Sequence, residues 1–304
     1  MRNAEVFSRS STERATSRSL INFEKWVQYG FAYLVALILI AFAVAPALWV
    51  ISASFNPAKS LVAGTLFPKN PDLSNYNQLF SSEFFPYAKW FLNSLKIASI
   101  TTLLAVLITC TAGYALSRFR FQGRRTLMFA ILILNIFPAI LAIVALFSMI
   151  QQLGLYIPGM GLDSHAPLIF IYVAGSSGIN VLIVKAYVDS IPSEIDESAL
   201  VDGATHWQTF MYIIFPIMRP IVITIGVLTF IAAYGDFIIA RVLLKSSDKL
   251  TVMVGMLLFQ TDRFDRDFGI ITAGAVIAAI PIILIYIPLQ KYVIDGLTAG
   301  SIKG

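Results

Sequence analysis

The chain has 304 residues, 58% hydrophobic and 13% charged, with a mean hydropathy of +0.78. A soluble domain carries nearly twice that charged fraction because its surface faces water, so much of this surface faces something apolar. The net charge of +5 would suit a nucleic-acid binder, but in a membrane protein a basic excess gathers in inner-face loops. The lone Cys110 excludes an internal disulfide framework and reads as a small core hydrophobe.

In chain order, residues 1–26 are polar and rich in Ser and Arg, with Arg2, Arg9, Arg14, Arg18 and Lys25. They read as a cytoplasmic N-terminal tail. Tyr29–Ile51 follows without a charge. It is longer than a secretory apolar segment of roughly 7–15 residues. It suits the roughly 20 residues needed to cross about 30 Å of hydrocarbon, and so predicts a retained signal-anchor. Further charge-poor runs are Ile97–Leu116, Thr126–Ile150, Ala166–Val184, Arg219–Arg241 (interrupted by Asp236) and Phe268–Gln290. Six such runs predict an all-α integral membrane protein. Its spanning domain covers 27–293, and a C-terminal tail covers 294–304.

Orientation follows from Lys and Arg. With the N-terminus inside, inner segments hold the five tail residues, Arg118, Arg120, Arg124, Arg125, Lys185, Arg219, Lys291 and Lys303. Outer loops hold Lys59, Lys69, Lys89, Arg241, Lys245, Lys249, Arg263 and Arg266. Lys96, just inside span two, can snorkel to the interface. The short Arg118–Arg125 loop is the strongest signal, because charges near span ends count most. Both termini are therefore expected in the cytoplasm.

One inner segment breaks the basic pattern. Residues 188–220 carry Asp189, Glu194, Asp196, Glu197 and Asp202, with no Lys or Arg before Arg219. Ser193-x-x-Asp196 resembles a capping box with an acid in place of Glu or Gln, and acids in a first turn suit the helix dipole. Gly203 is placed to end that helix in the left-handed conformation. Thr205-x-x-Gln208 opens a second helix, and Pro216 and Pro220 bend the chain into span five. An acidic helix–turn–helix at the inner face reads either as a docking element or as an interfacial connector.

Glu197-Ser198-Ala199, Gly203 and Ile213-Ile214-Phe215-Pro216 resemble the EAA motif of bacterial ABC importer permeases. The spacing agrees throughout, with Ser198 for Ala and Phe215 for Leu as mild departures. Tyr114-Ala115-Leu116-Ser117-Arg118-Phe119-Arg120-Phe121, Val201-Asp202-Gly203-Ala204-Thr205 and Gly296–Gly304 resemble the carbohydrate branch of that family. Asn135–Ala139 and Gly255–Gln260 lean toward its maltose-type members.

The resemblance implies a type I ABC importer permease fold in a bacterial inner membrane. It implies import of a sugar or oligosaccharide, of the maltose, maltodextrin or trehalose kind; glycerol 3-phosphate is an alternative solute. The partners implied are a second permease subunit, two cytoplasmic ATPases, an extracytoplasmic solute-binding protein and membrane lipid, with no nucleic acid. A coupling loop at about 189–216 would dock the ATPase through Glu197, Ser198, Ala199, Asp202 and Gly203. Leu297, Thr298, Gly300 and Lys303 of the tail would also contact the ATPases. The outer loop at about 241–267, with Arg263, Asp265, Arg266 and Asp267, would enter the binding protein or remain a solvated loop.

Within the spans, Asp236 either lines a pathway or pairs with a base near the outer end. An acid inside a span is costly and usually faces a bundle interior or wet cavity. Asn135, Tyr234 and Asn180 are further pathway or gating candidates. No P-loop is present, since Gly154/Gly159 and Gly269/Gly274 are followed by Met160 and Ala275 rather than Lys. The chain is therefore expected to be no enzyme and to bind no cofactor, with ATP and Mg on the partner ATPase. His165 and His206 suggest no metal cluster or nucleophile–base pair and read as surface or interface groups. A secondary transporter would instead show internal repeats and several ionisable residues in its spans.

Overall fold

A helix satisfies its own backbone polar groups, which is the condition for entering hydrocarbon, and every regular element among the described residues is helical. The computed structural model describes residues 2–57, 68, 70–82, 85–259 and 268–298, with 2–25, 27, 139 and 293–298 as backbone alone. In order, the helices are α1 (Arg2–Ser54), α2 (Ser74–Ser81), α3 (Tyr87–Arg118), α4 (Arg124–Ile136), α5 (Ile143–Tyr156), α6 (His165–Asp189) and α7 (Glu194–Val201). They continue as α8 (His206–Thr209), α9 (Phe215–Ile217), α10 (Arg219–Gly235), α11 (Ile238–Leu243), α12 (Val252–Leu258) and α13 (Phe268–Thr298).

Among the described residues, four helices are long and apolar enough to cross a membrane alone: Gln28–Ser54, Tyr87–Arg118, His165–Asp189 and Phe268–Tyr292. Two bent pairs supply the other two spans. The expectation of a continuous third span over Thr126–Ile150 is corrected here, because Arg124–Ile136 and Ile140–Tyr156 meet at 84°. The cause is Pro138: the residue before a proline is pushed out of the helical region, and Phe137 is extended at ψ 125. The fifth span bends by 77° between His206–Ile217 and Arg219–Gly235, beside Pro216 and Pro220 as the sequence suggests. Span two begins ten residues earlier than its apolar run, at Tyr87, so Lys89 and exposed Lys96 lie within α3.

α3 is the hub. It packs along α6 and α10, α10 packs on α13, and α1 lies chiefly against α13. Small residues allow the closest approach. A Cβ on Gly113 would stand 2.5 Å from Val184 Cγ1 and 3.2 Å from the Lys185 amide. One apolar core gathers Tyr87, Trp90, Ile97, Leu168, Phe230 and Leu243, and a second gathers Cys110, Tyr114, Val184, Phe210 and Ile221 at the α7 end. The outer flanks expose Phe42, Phe129, Ile136, Val144 and Leu284, a belt that water would reject and lipid accepts.

At the end away from α7, the segment 244–252 is stapled across α3 and α6. Trp90 Nε1 donates to the Ser247 carbonyl at 2.5 Å, and Asn93 Nδ2 donates to the carbonyls of Asp248 and Leu250. The Val252 amide donates to Ser94 Oγ, and His165 Nε2 pairs with the Lys249 carbonyl at 2.8 Å. Asp163 Oδ1 accepts the amides of Lys245 and Ser246, each at 2.9 Å, and its carboxylate pairs with Lys249 at 3.4 Å. Burial raises the Asp163 pKa, but the Ser246 hydroxyl, both amides and Lys249 outweigh it and hold the carboxyl well below its usual range.

Gly113→Val is expected to cost about 1–3 kcal/mol through overpacking, whereas Gly30→Val, with open space around it, should be neutral. Thermal unfolding in detergent, read by size-exclusion chromatography, separates the two. A carboxyl held low contributes stability above the unfolded-state pKa near 3.8 and loses it as pH falls toward the folded value. Asp163→Asn should therefore lower the melting temperature at pH 7. The gap to the native chain should shrink once pH drops below about 4.

Candidate functional site

The acidic segment forms a short, tightly capped helix pair. Glu194, Asp196 and Glu197 occupy the first turn of α7, where they suit the helix dipole. The expected capping box from Ser193 to Asp196 is corrected. Ser193 is already helical at φ -67 and ψ -21, and its side chain caps nothing. Asp196 turns inward instead and is 7% exposed. Its Oδ1 accepts from Tyr114 Oη at 3.0 Å, and its Oδ2 accepts from Arg118 Nε at 3.0 Å. Arg118 Nη2 donates onward to the Ile191 carbonyl at 2.9 Å.

The far end of α7 closes as the sequence predicts. Gly203 sits at φ 89, a region costly for residues with a Cβ. The Ala204 amide reaches the Ala199 carbonyl and the Gly203 amide reaches that of Leu200, the paired bonds of a Schellman cap. The second box also forms: Gln208 N donates to Thr205 Oγ1 and Thr205 N donates to Gln208 Oε1. Such a cap contributes about 1 kcal/mol. A π turn, Phe210–Ile214, then leads into α9 and the 77° bend.

With Asp196 and Ala199 facing in, α7 presents Glu197, Ser198, Leu200, Val201 and Asp202 outward, followed by exposed Gly203. Val201 is 87% exposed. A bare apolar side chain among carboxylates on a rigid helix is a surface suited to a partner.

Between α3, α5, α6, α10 and α11 lies a half-open cavity of about 520 Å³. Its wall is mostly apolar, with Thr101, Tyr172, Ser176, Thr229 and Asp236 as the polar points. Asp236 ends α10, and its Oδ1 accepts from Tyr172 Oη at 2.5 Å and from the amides of Ile239 and Ala240 at 3.1 and 3.0 Å. It thus satisfies the first turn of α11 at a break in the span. The Thr101 hydroxyl on that wall is buried without a hydrogen-bond partner among the described residues.

The other pathway candidates are scattered. Asn180 Nδ2 is 3.5 Å from Thr229 Oγ1, beside the cavity. Asn135 donates to its own helix at Ile131 and packs on Gly178. Tyr234 is 2% exposed and stacks on Phe230 away from the cavity wall. His206 stacks edge-on against Phe119 at 5.2 Å. Leu297 and Thr298 belong to the last turn of α13. Gly300 and Lys303, like Arg263, Asp265, Arg266 and Asp267, lie outside the described residues. Sequence reading missed Tyr172, Thr101 and Thr229, because an isolated hydroxyl in an apolar run carries no local signal of what it faces.

A six-span bundle with broken third and fifth spans and a capped polar helix pair defines a multi-pass membrane permease of type I fold. A chain of the bacterial ABC transporter involved in the import of the acidic polysaccharide alginate has the same fold. The TM-score is 0.74 at 24% identity, covering 87% of this chain and 96% of that one. Residues 74–298 match the model for binding-protein-dependent transport system inner membrane components, and the chain belongs to that family.

Relatives include the galactooligosaccharides transport system permease protein GanQ of Bacillus subtilis (strain 168), 35% identical over 281 residues, or 92% of this chain and 97% of that protein. The maltose/maltodextrin transport system permease protein MalG of Escherichia coli (strain K12) is 38% identical over 220 residues, or 72% and 74%. MalG of Salmonella typhimurium is 40% identical over the same length.

Asp236→Asn keeps an acceptor at Oδ1 and should fold normally. Asp236→Leu strands the amides of Ile239 and Ala240, at about 1–3 kcal/mol for each unsatisfied group. Its melting temperature in detergent should fall well below that of the Asn variant.

Proposed function

We propose that this chain is one permease subunit of an ATP-binding-cassette importer for a sugar or oligosaccharide, of the maltodextrin or galactooligosaccharide kind. Its spans form half of the translocation pathway, and a second permease forms the other half. An extracytoplasmic binding protein delivers the solute. Two cytoplasmic ATPases hold ATP and Mg, so this chain binds no cofactor and performs no hydrolysis. Both termini and α7 lie on the cytoplasmic side of a bacterial inner membrane.

The observation that carries the reading is the outward face of α7. Glu197, Ser198, Asp202 and Gly203 stand exposed at the positions that match the EAA motif, on a helix fixed at its C-terminal end by the Gly203 cap. Such a helix can enter a groove of an ATPase without first being ordered, which spares binding an entropic cost. The names of GanQ and MalG support the solute class. The cavity beside Asp236 offers hydroxyl and carboxylate groups on an apolar wall, which is how small-molecule sites fix polar ligands. The last residues of the chain, Leu297, Thr298, Gly300 and Lys303, supply a second ATPase contact.

Motion follows from the same arrangement. ATP-driven closure of the ATPase pair displaces α7, and the spans alternate between inward- and outward-facing packings as rigid bodies.

Changing Glu197→Lys and Gly203→Pro together reverses a contact charge and forbids the left-handed cap. Capture of the ATPase through this chain should weaken by about thirtyfold or more, the scale of a lost hot spot. Sugar-stimulated ATP hydrolysis in lipid should fall with it. Unchanged hydrolysis in that double variant would reject the docking role. Uptake of sugar without any ATPase would reject the importer.

A further inference from the structure

The last turn of α3 grips both ends of the connector that carries α7. At one end, Ser117 Oγ donates to Asp189 Oδ1 at 2.5 Å, and Asp189 also pairs with Lys185 one turn back on α6. At the other end, Arg118 and Tyr114 hold the two oxygens of Asp196. Between them, Arg118 Nη2 takes the Ile191 carbonyl. Three residues of one helical turn therefore fix residues 189–196.

Beyond these polar contacts, α7 is anchored by Ile195, which packs against the second apolar core, and by buried Ala199. Among the described residues, its backbone lies closest to α8. Ala199 and Asp196 are its buried side chains, and Asp196 faces α3 with a charge rather than with apolar surface. Stability alone does not ask for that choice, because replacing a buried ion pair by well-packed apolar residues is often neutral or stabilising. An ion pair with a forked donor does provide a fixed direction, since guanidinium geometry constrains both partners. Apolar packing would let the short helix slide. α3, in turn, is the hub on which α6 and α10 pack.

We propose that Arg118, Tyr114 and Ser117 form a clasp through which α7 and span two move as one body, so that force applied to α7 reaches the bundle through α3. These are positioning residues. This inference rests on the docking role of α7, but it concerns what happens after docking: loss of the clasp leaves the outward face of α7 intact and disconnects it from the spans.

The test uses the full chain in lipid nanodiscs, with and without the ATPase captured from its own membrane. Spin labels go on exposed Glu194 of α7, which is not among the docking residues, and exposed Ile108 of α3, in a Cys110→Ser background. The native clasp should give one narrow distance distribution that ATP does not broaden. Asp196→Asn and Arg118→Gln should add a second distance, with the detached population rising by about tenfold or more for loss of a buried pair. ATPase capture should be retained.

Tyr114→Phe removes one hydroxyl without changing shape and should produce a smaller rise, which keeps the test decisive if a charge variant fails to fold. The exchange Arg118→Asp with Asp196→Arg should restore much of the native distribution. A distribution that stays narrow in Asp196→Asn, Arg118→Gln and Tyr114→Phe alike overturns the clasp. Loss of ATPase capture in these variants overturns it too, because the network would then shape the docking face itself. The Glu197→Lys and Gly203→Pro variant distinguishes the two readings. If it still captures the ATPase, the docking role fails, whereas the label distances of the chain alone judge the clasp independently.

Discussion

Hydrocarbon offers no hydrogen-bond partner, so every backbone amide and carbonyl at membrane depth must be satisfied by the chain itself. The helical architecture follows from this, and so do the details at each interruption. α10 stops at Gly235, and Asp236 immediately takes up two amides of the next helix. The bend at Pro138 removes an amide by covalent structure rather than leaving one unmet. At the α7 end, the π turn and Pro216 redirect span five while the following amides find carbonyls four residues back, as Met218 does at Ile214 and Val222 at Met218. Interruptions are tolerated where local chemistry repairs them, and these breaks bound the cavity and the polar helix pair.

The acids of the 188–220 loop serve different purposes although they look alike in sequence. Glu197 and Asp202 are exposed and leave a negative face free. Asp196 is buried and spends its charge on Arg118. Asp189 ties the end of α6 to the last turn of α3 through Ser117 and pairs with Lys185 one turn back on its own helix. One residue of helical phase separates Asp196 from Glu197, about 100° around the axis, and that rotation decides which carboxylate is buried and which is left exposed.

Much of this was legible beforehand. The EAA-like spacing from Glu197 to Pro216 located the polar helix pair, and Gly203 and Thr205 marked its caps correctly, because caps depend on residues three or four positions apart. The departures have two origins. Ser193 looked like a cap and Asp196 like its partner, since local pattern cannot reveal that Tyr114 and Arg118, some eighty residues earlier, compete for the same carboxylate. The third span was read as continuous because hydropathy averages over Pro138. Tyr234 and Asp236, two residues apart in sequence, have different surroundings. In the fold Tyr234 stacks in the core on Phe230, while Asp236 joins Tyr172 on the cavity wall.

By itself the sequence determined that the chain lives in a membrane, how many times its apolar runs can cross, where its polar helix pair lies and which family motif that pair resembles. These are properties of composition and short-range spacing. Only the tertiary structure decided which acid is buried, which hydroxyls face the cavity, and that α3 is both the hub of the bundle and the grip on α7. Those outcomes depend on helix rotation and on contacts between residues far apart in the chain, and no local pattern specifies either.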